Sequence, residues 1–342
     1  MVRFKNLGRW LLVGTGVGAA AWSWAPKAKS NTLHANPHHS AGVPRLTVLP
    51  WNGHKAAFTM TFDDGSPADA TLALPALEAK GVKGTFFLTE DNTEGNEPDW
   101  SRAAREGDEL GNHTVNHCHA ADLGQGRCGS ARDEIDRCNA YIESKFGVPD
   151  VYTFAYPFVD TSPAYRSAVE GTFLLARAGS GNLVDASATP DWFAIDAKFV
   201  EPSRGQTVKD WSGWIDDADA QSKWLVIVFH SILPETWYEG VPQADLETMI
   251  DHAKAADDLW IDTFVEVGSY LRAEKMFEAV TPVSRGKGVV WKWTLPRHFP
   301  PKHSLRVVVD GGALSQNGAR LPRDATGAYA VSLDTGSLAW EP

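Results

Sequence analysis

Ala56-Ala57-Phe58-Thr59-Met60-Thr61-Phe62-Asp63-Asp64-Gly65 is the stretch that decides the fold, a mostly apolar run that ends on two adjacent carboxylates and a glycine. A short apolar run closed by a turn signal reads as a strand buried on both faces, and such strands belong to parallel sheets. Comparable runs recur at 84–89, 151–156, 224–229 and 260–264. Helical segments separate them. Ser130 caps a helix carrying Ile135, Cys138 and Ile142 as far as Gly147, and Leu246, Met249, Ile250 and Ala253 form a second apolar face. Pro67 opens a helix toward Gly81, with Pro75 inside it predicting a kink or a later start. Strand and helix in alternation predict an α/β domain of mainly parallel strands.

Active sites of parallel α/β folds collect at the carboxyl ends of the strands, where Asp63 and Asp64 stand. Two carboxylates side by side are costly unless a cation or a proton offsets them. His113-Thr114-Val115-Asn116-His117 supplies two imidazoles four residues apart, which on a helix or helical turn share one face and reach one ion. With Asp64 they make a two-histidine, one-carboxylate set with positions open for water and substrate. His230 directly follows the buried run 224–229, at the end of another strand, where an imidazole can donate a proton near neutral pH. Each signal has an ordinary alternative: a surface turn for Asp-Asp-Gly, capping histidines for the second motif, a hydrogen-bonded core histidine for the third.

Taken in order, Thr-Phe-Asp-Asp-Gly, His-Thr-x-x-His, the Tyr156-Pro157-Phe158 segment and a strand ending in His resemble the NodB-homology polysaccharide deacetylases, carbohydrate esterase family four. The resemblance runs from Lys55 to Leu271. It implies a distorted (β/α) barrel of seven or eight strands and one divalent metal ion, zinc foremost and cobalt as an alternative. Carried over by residue, it implies Asp63 as general base, Asp64, His113 and His117 as metal ligands, and His230 as general acid. It also implies that the backbone N–H of Phe158, beside Tyr156, helps hold an oxyanion. The family's third motif carries an Arg that orients the base; here that position is Ala155, and Arg177 and Lys198 are the candidate replacements. Asp191-Trp192-Phe193-Ala194-Ile195-Asp196 is a loose match to the family's fourth motif, with Trp192 as the candidate pocket residue.

The remainder of the chain sets the context. The balance of 32 basic and 43 acidic residues, net −11, disfavours nucleic acid and anionic membranes as partners, and the 14 Trp can serve core or sugar subsites. Arg3, Lys5 and Arg9 precede an uncharged run over 10–25, so 1–28 reads as an export signal or an uncleaved N-terminal anchor, and the protein as secreted or periplasmic. Residues 29–44, with His34, His38 and His39, read as a flexible linker. Cys118, Cys128 and Cys138 allow one disulfide and leave one thiol over. After the 45–275 domain the texture becomes alternating, with Val289 to Trp293 and Leu305 to Val309 closed by turn signals, predicting a small all-β appendage over 285–342.

The expected function is metal-dependent hydrolysis of N- or O-acetyl groups on an extracellular glycan. Two alternatives stand beside it. One is a catalytically weak or inactive carbohydrate-binding relative, which the missing Arg favours; the other is an amidohydrolase of the same superfamily acting on a small cyclic amide.

Overall fold

The computed structural model describes residues 44–342 apart from 236 and 257; the expected export signal and almost all of the linker fall outside the described residues. The chain runs β1 (Leu46–Val48), β2 (Ala56–Asp64), α1 (Leu74–Lys80), β3 (Thr85–Leu88), α2 (Glu97–Glu106), β4 (Glu109–Asn112), α3 (Ala131–Phe146) and β5 (Thr153–Ala155). It continues through α4 (Pro163–Thr172), β6 (Leu175–Arg177), β7 (Lys198–Phe199), α5 (Val208–Gln221), β8 (Trp224–Phe229), β9 (Ile232–Leu233) and β10 (Val241–Pro242). Then come α6 (Gln243–Ala255), β11 (Leu259–Ile261) and α7 (Phe264–Glu278).

Seven parallel strands form one sheet in the order β6-β5-β4-β3-β2-β8-β7. β11 adds beside the start of β2, at Ala56 to Phe58, and β3 joins the same edge further along, at Thr61 to Asp64. The sheet curls. Ile195 exchanges backbone hydrogen bonds with Ala176 and Ala178 next to β6, and three residues later β7 pairs with β8, so one short segment links the two edges. This curled half-barrel of seven strands matches the distorted barrel of seven or eight strands that the resemblance implies.

β2 is central because both of its faces are apolar. Phe58, Met60 and Phe62 pack outward in a cluster with Leu77 of α1, Trp211 and Ile215 of α5 and Ile250 of α6. Ala57 faces inward with Phe87, Val226 and Val228, over which α7 lays Phe264, Val267 and Leu271. Phe62 stacks on Phe86 at 5.0 Å and Phe229 at 5.2 Å, matching its cross-strand register with both. Full burial of each such ring is worth about 1.5–3 kcal/mol, which makes this register stable against slippage.

Local signals explain the helices. Ser130 and Asp133 form the capping box of α3, and Gly147 ends it at φ 73°. Ahead of Pro75, residues Asp69–Ala73 take a π turn before α1, which absorbs the N–H that proline lacks. The predicted strand over 260–264 divides instead: Thr263 accepts from the Glu266 N–H and starts α7. β4, with Glu109 and Asn112 at its ends, has no apolar run to betray it. Its Gly111 is required, since a Cβ there would lie 2.5 Å from the Phe87 ring.

Glu109 pins the barrel floor, accepting hydrogen bonds from the Thr85 hydroxyl and the Val265 N–H at 2.8 Å each, and from Thr153. Burial pushes its carboxyl up to about 7 despite those donors. From about pH 4.5 to 7 the folded state keeps a proton that the unfolded chain has lost, so stability falls as pH rises through that window. Glu109→Gln keeps the accepting oxygen and loses the ionisation. Denaturant melts at pH 5 and pH 8 are expected to show a relative gain of about 3 kcal/mol for the variant at the higher pH; equal stability changes in both proteins would refute this.

The C-terminal strands are β12 (Val283–Arg285), β13 (Gly288–Lys292), β14 (Ser304–Val309), β15 (Ala313–Gln316), β16 (Ala319–Arg320), β17 (Tyr329–Ser332) and β18 (Ser337–Glu341). They make separate antiparallel sheets, β12-β13-β18-β15-β16 and β1-β14-β17. Their inward residues, among them Trp291, Leu305, Val331 and Leu338, share a core with Tyr270, Ala273 and Phe277 of α7. Among the described residues no helix is long and apolar enough to cross a membrane.

Candidate active site

The carboxyl ends of the strands bring the predicted polar residues together. Asp63, the last inward-facing position of β2, is 2% exposed. Asp64 sits at φ 71°, its carbonyl held by the Thr89 hydroxyl at 2.9 Å and the Asn92 amide at 3.1 Å. Asp64 Oδ1 lies 3.5 Å from Nε2 of both His113 and His117, and one ligand atom from each of the three falls within 4.8 Å of the others.

The two histidines do not ride on a helix. Residues 113–118 are irregular, with Thr114 at φ 72° and His117 at φ 49°, and side chains hold the loop in place. Asn112 Oδ1 accepts from the Thr114 N–H, Thr114 Oγ1 from the His117 N–H, and buried Glu134 of α3 accepts from both nitrogens of Asn116. A disulfide joins Cys118 to Cys128 immediately after His117, while Cys138 stays a buried thiol on the Leu88 carbonyl. Glu134 and the disulfide partner were not visible in the four-residue spacing.

His113 Nδ1 lies 2.8 Å from the Ala155 carbonyl, which can only accept, so Nδ1 carries a proton and Nε2 is the nitrogen turned to the cluster, where the Asp63 and Asp64 carboxylates outweigh burial and raise the imidazole's proton affinity. Burial lowers the His117 imidazole to about 4, with His113 adding to the effect against the pull of the carboxylates. Asp64 is buried too, which alone would raise it, but the His113 and His117 imidazoles hold it well below the usual carboxylate range. The neutral His117 imidazole beside the ionised Asp64 carboxylate suits a divalent cation, which would displace the proton that the carboxylates favour on His113.

Arg177 answers the missing Arg. It donates from Nη2 to Asp63 Oδ2, and it is 1% exposed, its guanidinium 5.3 Å from the Phe87 ring and 5.5 Å from the Phe199 ring. In the sheet register Arg177 of β6 stands directly opposite Ala155 of β5. Asp63 thus has a cation from the strand next to the one on which the resemblance would place it. Lys198 does not take part; its ammonium lies over the Trp214 ring at 5.3 Å.

His230 follows β8, with burial lowering its proton affinity and its ring packed between Phe199 at 6.2 Å and Tyr238 at 4.9 Å. Phe158, at φ 54°, lies 4.4 Å from the His117 ring. Two predicted residues do not join the cluster as side chains. Tyr156 turns into the core and donates to the Phe193 carbonyl at 2.9 Å, and the Trp192 ring packs against Arg272 of α7, toward the opposite end of β6. Trp237 does join, with its indole N–H 3.4 Å from Asp64 Oδ2. An aromatic pair, Trp237-Tyr238, in a polar loop shortly after the strand-end His was the signal for it.

Residues 52–172 match the family model described as Polysaccharide deacetylase, a span that contains Asp63, Asp64, His113, His117 and Phe158. Over that span the chain is similar to the polysaccharide deacetylases. A peptidoglycan-N-acetylglucosamine deacetylase of Bacillus cereus is 30% identical over 153 residues, 44% of this chain and 51% of that protein. A chitin deacetylase of Pestalotiopsis sp is 40% identical over 87 residues, 24% of this chain and 29% of that protein. The chain thus spans about half the length of these curated relatives or less. In fold, the chain is similar to the crystal structure of a candidate polysaccharide deacetylase from Mycobacterium smegmatis, with TM-score 0.50 and 17% identity over 72% of this chain and 95% of that one.

Proposed function

We propose that this protein is a metal-dependent hydrolase that removes N- or O-acetyl groups from an extracellular carbohydrate polymer or oligosaccharide, with the chemistry in residues 45–275 and with 285–342 as a packing appendage. The observation that carries the reading is the pairing of two inequivalent carboxylates. Asp63 is tied to a buried cation, and its neighbour Asp64 faces two imidazoles.

Asp64, His113 and His117 would hold the divalent ion, zinc by the donor set. The ion supplies Lewis acidity for the acetyl carbonyl and the attacking water. Asp63 serves as the base that takes a proton from the water. Arg177 keeps it aimed, leaving its buried Oδ1 without another partner. The N–H of Phe158 stabilises the oxyanion, and His230 hands a proton to the departing amine or alkoxide. No acyl-enzyme is required. The inactive-relative reading rested on the missing Arg, and Arg177 removes its main support.

Acetate release from acetylated chitooligosaccharides, acetylxylan and peptidoglycan fragments tests the proposal. Release should need zinc or cobalt, vanish on chelation and return on adding metal. One bound zinc per chain is expected by elemental analysis, with affinity falling by about tenfold or more in His117→Ala. Tight metal and glycan binding with no acetate from any substrate would overturn the reading.

A further inference from the structure

Arg272 of α7 is a half-buried cation that pairs with no carboxylate among the described residues. Its guanidinium carbon lies 5.4 Å from the centroids of both the Trp192 and the Phe193 rings, and Nη1 donates to the Leu174 carbonyl. Burial alone pushes the guanidinium down to about 10, with no acidic group pulling it back. Arg102, Arg166, Arg177 and Arg306 each reach a carboxylate. Arg166 gives the contrast on the same patch. It lies 5.7 Å from the same Phe193 ring, yet Asp191 accepts from its Nη1 and Nη2 at 2.8 and 2.6 Å, and Glu170 accepts from its Nε. In a chain with 43 acidic residues against 32 basic ones, a guanidinium stripped of part of its water and given no counter-charge costs stability that one acidic neighbour would recover. Holding the Leu174 carbonyl does not account for it, since that uses one of five N–H donors.

The unused donors have a definite shape. With Nη1 on Leu174, the Nε–H and the Nη2–H beside it remain, two parallel donors spaced for the two oxygens of one carboxylate. Neither nitrogen is sealed in, for neither stands with Asp63 Oδ1 and Arg177 Nε among the enclosed polar atoms that lack a partner. Solvent, and hence a ligand, reaches that edge. The neighbouring rings lower the local dielectric and strengthen a charge-assisted bond formed there. Two further donors sit close by in sequence at the end of α4: His298 Nε2 lies 3.3 Å from the Gly171 carbonyl, and Arg132 donates to the Thr172 hydroxyl at 2.6 Å. Arg132 is shared with Asp136, so the patch offers one free guanidinium edge, which suits a singly charged carboxylate better than a phosphate. Leu174 precedes β6 and Arg177 ends it, so the length of that strand separates this edge from the Asp64, His113 and His117 cluster.

We propose that the Nε–Nη2 edge of Arg272, beside Trp192 and Phe193, is a binding site for a carboxylate-bearing ligand at the end of β6 remote from the metal-ligand cluster. The carboxylate takes both N–H donors and the body of the ligand rests against the aromatic rings. A uronic acid and the α-carboxylate at a peptide end both carry this chemistry. Trp192, which the loose fourth-motif match made a pocket residue, serves instead at this second site. The site stands without the acetyl-hydrolysis reading, and the failure of either leaves the other intact.

The test follows the Arg272 Nε–H resonance of the full chain by NMR, at constant ionic strength, during titration with acetate, glucuronate and N-acetylalanine. Acetamide, methyl glucoside and N-acetylalaninamide are the uncharged counterparts. At least one carboxylate should shift the resonance along a saturable curve, and no uncharged counterpart should. A stronger response to glucuronate assigns the site to an acidic sugar, a stronger one to N-acetylalanine assigns it to a peptide end, and equal responses assign it to the carboxylate alone. In variants lacking Arg272 the Trp192 indole N–H reports the same titration. Arg272→Gln and Arg272→Lys should each bind about tenfold or more weakly, lysine because it keeps the charge and loses the fork. Should Arg272→Gln fail to fold, Arg272→Lys carries the comparison. No saturable shift with any carboxylate, equal shifts with the uncharged counterparts, or unchanged affinity in either variant would overturn the proposal.

Discussion

Arg177→Met is expected to be the most damaging single substitution in the barrel interior, costing about 3–5 kcal/mol of stability and about a hundredfold or more in kcat. The stability loss follows from what is left behind. Asp63 would remain buried with no cation on Oδ2, and removing one partner of a buried pair forfeits the interaction and keeps the desolvation penalty of the other. The loss of kcat has a separate origin, because a base displaced by as little as an ångström no longer meets the proton it must take. Arg177→Lys separates the two effects. Lysine keeps the charge but not the planar group lying between Phe87 and Phe199, so it should restore part of the melting temperature while kcat remains low. Thermal melts and initial rates on one acetylated oligosaccharide measure both. Wild-type kcat in Arg177→Met would show that Asp63 needs no orienting cation.

The same residue shows where sequence reading stopped. β2 and β8 were legible because strands buried on both faces must be continuous apolar runs, and the carboxylates and imidazole at their ends followed directly. β4 was not, because inside a barrel floor Glu109 and Gly111 answer to Thr85, Thr153 and Phe87 on neighbouring strands, and no periodicity records that. His113 and His117 were found by their spacing although the helix behind that argument is absent; positive-φ residues and Glu134 perform the convergence. Arg177 could be named as a candidate, but only the register opposite Ala155 singles it out over Lys198. In the C-terminal part, alternation revealed β14, yet its pairing with β1 joins residues about 260 positions apart, beyond any local signal.

Asp63→Asn and His230→Gln should divide the reaction between them according to the leaving group. In the proposed reaction Asp63 acts before the carbon–heteroatom bond breaks, on the water, so its loss should cost about 10²–10⁴-fold with any acetyl donor. His230, in the same proposal, acts on the departing atom. An amine or sugar alkoxide is a poor leaving group and needs its proton as the bond breaks, so on an acetylated oligosaccharide His230→Gln should cost a comparable 10²–10⁴-fold. On 4-nitrophenyl acetate, whose phenolate departs unaided, the same variant should lose less than about tenfold, whereas Asp63→Asn stays crippled. Glutamine suits this comparison because it fills much of the space between Phe199 and Tyr238 without a titrating proton. Equal losses on both substrates for His230→Gln would remove its assignment as the acid and turn attention to its packing, while equal resilience of Asp63→Asn on the activated ester would mean that the water is activated without Asp63.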